Sequence, residues 1–155
     1  MWPNETVPTT GEDVTIQCDW TVLINIQPAV IGKLIVDGDL VVEDVNDVNI
    51  TAESVFIRGG SLTVGNSSSP FTHKFTIQVN GDAMSKYEDV DALVSANKFL
   101  VVTGSLVMYG VKPTTTSTYL KQSATKGEKV IYPGASSGWK VGDKLSLSPS
   151  FANVK

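Results

Sequence analysis

The side chains from which hydrolytic, redox or metal chemistry is ordinarily assembled are scarce in this chain. His73 is its only histidine and Cys18 its only cysteine. A single thiol makes no internal disulfide and no thiolate metal cluster. A catalytic thiolate would want a histidine partner, and His73 stands in a loop far along the chain. Cys18 therefore reads as a small buried core residue closing the strand-like run VTIQC. Carboxylates are more plentiful. Asp37, Asp39, Glu43, Asp44 and Asp47 form the densest acidic cluster, and hard oxygen donors suit calcium. Their spacing matches neither a Gly-rich nonapeptide repeat nor a helix-loop-helix calcium loop. Asp37 and Asp39 would share a face along a strand, but a bend at Gly38 intervenes. An exposed acidic edge is expected, with calcium at Asp37, Asp39, Glu43 and Asp44 as the alternative; no other cofactor is indicated.

Three further groups deserve a chemical reading. His73 and Lys74, stacked near Arg58, would make a small cationic spot for a uronic-acid carboxylate; the plainer reading is a turn histidine with solvated neighbours. Asp82, Glu88, Asp89 and Asp91 could pair for glycoside cleavage only if loop folding set two of them about 5–10 Å apart. Trp2, Trp20 and Trp139 could stack on sugars, but packing suits Trp139 better, and Trp2 and Trp20 could cap the first layer of the fold. Three N-x-Ser/Thr sequons begin at Asn4, Asn49 and Asn66. Asn66 follows Gly65 in a Ser-rich turn, the setting of an exposed glycan.

The elements that must position these groups are set by a repeat of 22 residues. Segments 33–42 (KLIVDGDLVV), 55–64 (VFIRGGSLTV), 77–84 (IQVNGDAM) and 99–108 (FLVVTGSLVM) share it. One column reads Ile35, Ile57, Val79, Val101, and another reads Leu40, Leu62, Met84, Leu106. Between them lie the turn pairs Asp37-Gly38, Gly59-Gly60, Gly81-Asp82 and Thr103-Gly104. Similarity at a fixed period marks units that bury their apolar faces against one another. Alternation on either side of the glycine predicts short strands, and glycine at positive φ would let one strand turn directly into the next. The expected fold is all-β, a right-handed parallel β-helix (β-solenoid) with rungs of about 22 residues, with a β-sandwich or jelly roll as the alternative.

The 155 residues suit one domain spanning 1–155. The composition is rich in valine, threonine and serine, as strands require. No stretch is long enough for a membrane span, and no basic-then-apolar leader opens the chain. Terminal rungs need caps, so a chain that stops soon after Pro149 reads as a piece of a larger protein. Residues 1–57 carry ten acids against Lys33 alone, whereas Arg58 onward carries eleven bases and six acids. A polyanion would be repelled by the first part, and no dense basic stripe points to nucleic acid.

These strings together resemble the eight-glycine (G-eight) domain, known from fibrocystin-type proteins and the cell-surface and secreted hyaluronan-degrading proteins. The resemblance runs from Trp2 to Pro149. It rests on GEDVTI at 11–16, LIVDGDL at 34–40, IRGGSLTVG at 57–65, PFTHKFTI at 70–77, GSLVMYG at 104–110, YLKQSA at 119–124 and GWKVGD at 138–143. The eight family glycines would fall at or near Gly11, Gly38, Gly60, Gly65, Gly81, Gly104, Gly110 and Gly142. PFTHK is closer to the fibrocystin-like branch. Segment 85–98 departs from the pattern and could include a helical turn, and the family's tryptophan before Tyr119-Leu120 is replaced within 114–118.

The resemblance implies an extracellular or cell-surface glycoprotein ectodomain. The expected function is a non-catalytic module for adhesion, matrix or carbohydrate binding. It would take a glycan or protein ligand, bind no nucleic acid, insert in no membrane, and sit beside other domains of a longer chain. Two alternatives stay open: the N-terminal part of a hyaluronan- or glycan-degrading enzyme, and a component of a surface coat or filament.

Overall fold

The structure, a computed structural model, describes residues 7–81, 88–90, 93–95, 98–136 and 138–148. Eleven strands follow one another: β1 (Val14–Ile16), β2 (Thr21–Ile24), β3 (Ile31–Val36), β4 (Asp39–Val42), β5 (Val48–Ile57), β6 (Ser61–Val64), β7 (Phe75–Val79), β8 (Glu88–Val90), β9 (Leu93–Ser95), β10 (Leu100–Val102) and β11 (Ser105–Met108). No helix occurs among the described residues. The chain forms two compact units, Met1–Val111 and Lys112–Lys155.

All the named strands lie in the first unit. Sheet A runs β1-β3-β5-β10, with β7 also on β5, and sheet B runs β11-β6-β4-β2. Every pairing in both sheets is parallel, which removes the antiparallel sandwich. From β1 to β7 the chain alternates between sheet A and sheet B, and β10 and β11 resume the alternation. Strand alternation turns one set of side chains inward. Val14, Ile16, Leu34, Val36, Val55 and Ile57 of sheet A are buried, as are Val22, Ile24, Leu40, Val42, Leu62 and Val64 of sheet B, and together they form the core.

In sheet B the expected column is present. Val22, Leu40, Leu62 and Leu106 are in register; Met84 lies outside the described residues. The other expected column is not. Ile57 lies against Val36 rather than Ile35, Ile35 faces Phe56, and Val79 faces Ala52. For Ile35 and Ile57 the cause is the length of the corners, whereas Val79 is displaced further because β7 pairs with the first half of β5. Residues 37 and 38 link β3 to β4, and 103 and 104 link β10 to β11, but three residues, 58 to 60, link β5 to β6. The additional residue moves sheet A one position out of step with sheet B, and Gly59, at φ 80°, absorbs it.

The stacked glycines have a different reason from the expected one. Gly38, Gly60 and Gly104 are not at positive φ. A Cβ on Gly38 would overlap the carbonyl oxygens of Gln17 and Trp20, one on Gly60 that of Gly38, and one on Gly104 that of Gly60. Amide-to-carbonyl bonds run along the same column, from Asp39 to Trp20, Ser61 to Gly38 and Ser105 to Gly60, at 2.8–2.9 Å. Glycine is needed here because backbones meet.

Cys18 is exposed, in the turn after β1 rather than in the core. In place of a helical turn, the described part of segment 85–98 is an antiparallel pair, β8 with β9. In the second unit Leu120 and Pro133 make an antiparallel bridge. Trp139 donates its indole N–H to the Thr115 carbonyl, a packing role within that unit.

Candidate functional site

Among the described residues of the first unit, two corners hold clusters of polar contacts. At the end of β3, the Asp37 carboxylate receives Arg58 Nε and Nη2, each at 2.8 Å. This is the fork-to-fork geometry of an arginine–carboxylate pair. The guanidinium hydrogen bond holds the Asp37 carboxyl below the usual range, against a smaller upward push from desolvation. Beside it Ser61 Oγ donates to Asp39 Oδ1 at 2.6 Å. Both contacts tie one strand layer to the next.

The second corner joins the turn after β4 to the loop before β7. The Asp44 carboxylate accepts from the Thr72 amide (2.9 Å), the Thr72 hydroxyl (2.8 Å) and the His73 amide (3.1 Å), and meets His73 Nδ1 at 2.8 Å. Desolvation pushes the Asp44 carboxyl up, but hydrogen bonds from His73 and Thr72 outweigh it together and hold the group far below the ordinary carboxylate range. Asp47 Oδ1 accepts from the Lys74 amide at 2.9 Å, and the Val48 amide donates to the Lys74 carbonyl. Phe71, buried beneath, meets the rings of His73 and Phe75 edge-on at 6.2 and 6.4 Å.

A third contact went unread in the sequence. The Gln27 side chain accepts from the Asn49 amide at 2.9 Å and donates to the Asn49 carbonyl at 2.6 Å. It thus takes the place of a neighbouring strand on that stretch of β5. The two residues stand 22 apart, so the repeat period was the signal that could have found the pair.

Against these contacts the expected sites divide. Arg58 stands at the C-terminal end of β5, whereas Val48↔Phe75 register sets His73 and Lys74 beside its N-terminal end. The three cations do not form one spot. Asp37 and Asp39 lie at one end of β4, Glu43 and Asp44 at the other, and no group of three or more acids, histidines or cysteines among the described residues is placed to hold a metal. Trp20 is exposed in the corner between β1 and β2. Trp2, Asn4, Asp82 and Asp91 lie outside the described residues, as do the side chains of Glu88 and Asp89. No helix among the described residues is long and apolar enough to cross a membrane.

What the geometry defines is an all-β domain of two parallel sheets whose polar corner residues bind one layer to the next. The G8 domain family matches residues 1–121, and the chain belongs to that family. It is 32% identical to fibrocystin of Mus musculus over 150 residues, 95% of this chain and 4% of that protein. Fibrocystin-L of Homo sapiens is 29% identical over 148 residues, covering 95% of this chain and 3% of that protein. The chain therefore spans only a few per cent of the length of these relatives. No solved structure matches it.

Proposed function

We propose that the domain is a non-catalytic extracellular module, a right-handed parallel β-helix with rungs of about 22 residues, and that the outer face of sheet B is its ligand surface. The observation that carries this reading is a pair of columns in register. Leu23, Val41, Thr63 and Val107 point outward in one, and Thr21, Asp39, Ser61 and Ser105 in the other. All eight are exposed or half-buried. Four strands at roughly 4.8 Å spacing make this a flat strip about 14 Å across. A mainly apolar column beside a hydroxyl- and carboxylate-bearing one suits an extended glycan, whose rings have apolar faces and hydroxyl rims. Asp39 and the acid-rich first part of the chain favour a neutral glycan over a polyanionic one. The family and the sequons support the extracellular setting.

The test is size-exclusion chromatography of labelled polysaccharides, one neutral and one hyaluronan of high molecular weight, mixed with the domain with and without calcium. Co-elution with intact neutral polymer that is lost in Thr63→Lys supports the reading. Label moving to shorter fragments makes the domain part of a glycan-degrading enzyme instead, and unchanged peaks remove the glycan. A coat or filament role has one observation in its favour, the exposed inward-facing residues of β10 and β11. Concentration-dependent growth in light scattering would mark it.

A further inference from the structure

Of the two sequons within the described residues, the loop after β6 and the middle of sheet A give opposite surroundings to the asparagine. Asn66, Ser67, Ser68 and Ser69 are all exposed. Asn66 Oδ1 accepts from the Ser68 amide at 2.9 Å and from the Ser69 amide at 2.8 Å, and the Asn66 amide donates to the Ser69 carbonyl at 3.0 Å. The carboxamide oxygen is thus turned into an Asx-turn. In a planar carboxamide the nitrogen then lies on the branch directed away from those donors. Asn49 is the reverse. It lies within β5, its backbone is clamped by Gln27, and its Oδ1 is buried with no hydrogen-bond partner among the described residues. Thr51, the third residue of its sequon, is buried in the same strand.

We infer that Asn66 is an N-glycosylation site and that Asn49 is not. The donor is an oligosaccharide linked through pyrophosphate to a lipid, with its transferase. Asn66 Nδ2 forms the bond to the sugar's anomeric carbon, the bond from that carbon to the pyrophosphate oxygen breaks, and the lipid pyrophosphate leaves. Nδ2 gives up one proton to a base on the transferase. A glycan on Nδ2 of Asn66 extends into solvent from a loop that lies outside both sheets, so the fold accepts it without loss of a strand contact. At Asn49 the same group would have to be carried on a half-buried side chain within β5, whose carboxamide oxygen is already buried.

This inference rests on the extracellular reading, and the experiment separates the two. The chain is secreted from mammalian cells behind a foreign leader, then deglycosylated by a peptide amidase in heavy-oxygen water, which leaves an isotope-marked aspartate at each occupied site. The expected result is marking at Asn66 and none at Asn49. Asn66→Gln and Ser68→Ala should each abolish the mark at 66; the latter keeps the Ser68 backbone amide and hence the Asx-turn. Unmarked Asn66 in secreted protein, beside a co-expressed sequon that is marked, overturns the inference, and so does a mark at Asn49. The extracellular reading fails separately, if antibodies to the native protein in its own tissue find it only inside cells.

Discussion

The strand pairs that begin and end the stack contrast sharply. β1 and β2 are edges of their sheets, and so are β10 and β11, so unpaired backbone does not distinguish them. Burial does. Val14 is 6% exposed, Ile16 0% and Ile24 3%, whereas Leu100, Val102 and Met108, in the equivalent inward-facing registers, are 41%, 40% and 55% exposed. The chain places equally apolar residues at both ends, yet only those of the first pair are buried. One sequence pattern therefore supports two different energetic roles, depending on what lies beyond the layer.

That contrast is broken most directly by truncating matched positions. Ile16→Ala removes side-chain volume from a closed core and should cost about 2–5 kcal/mol. Met108→Ala removes a group that is largely solvated and should cost less than about 1 kcal/mol. Urea denaturation of both variants measures the two values. Equal losses would mean that the last layer is as tightly covered as the first.

The glycine column provides a second, smaller comparison. A Cβ at Gly38 meets carbonyls of the preceding corner, and the Gly60 layer lies packed beyond it. Backbone cannot give way as a flexible side chain can, so Gly38→Ala should cost about 2–3 kcal/mol. Gly104→Ala meets backbone of the same kind, but β11, unlike β4, is an edge strand of its sheet and can shift outward. We expect roughly half the loss there. Thermal unfolding of the pair decides the matter, and a more damaging Gly104→Ala would contradict it. Arg58→Ala, at a half-exposed pair, should cost at most about 1 kcal/mol.

How much of this was legible follows from the corners. The Leu40, Leu62 and Leu106 column could be read because the corners and strands between those leucines add up to a constant period. Sheet A slipped by one because the Arg58–Gly60 corner has one more residue, and a fixed-period alignment cannot register a local insertion. The stacked glycines were visible, but their reason was not. Close approach of backbones is a property of neighbouring layers, whereas positive φ is a property of one residue. Cys18 alternates with Val14 and Ile16 in sequence, yet the strand ends at Ile16 and the next two residues turn outward. The acidic cluster was plain, but its partners were not. Thr72 and His73 lie 28 and 29 residues from Asp44, in a loop that does not keep the period.

Acid should separate the two corners, with the smallest effect of the series. Asp37 and Asp44 both have folded-state values below those of an unfolded chain, near 3.9 for aspartate. A depressed carboxyl contributes stability that is present above the unfolded value and is lost as pH falls through the folded one. Stability should therefore decline below about pH 4. The Asp44 value is the more strongly lowered, so its contribution persists to lower pH than that of Asp37. Asp44→Asn should flatten the acid limb from about pH 4 down to its lowest-pH end, whereas Asp37→Asn flattens only its upper part. Chemical denaturation across a pH series, with both variants beside the parent, measures the two slopes. Identical acid limbs in all three proteins would show that neither corner is held by its carboxylate, and that the apolar columns alone keep the layers in register.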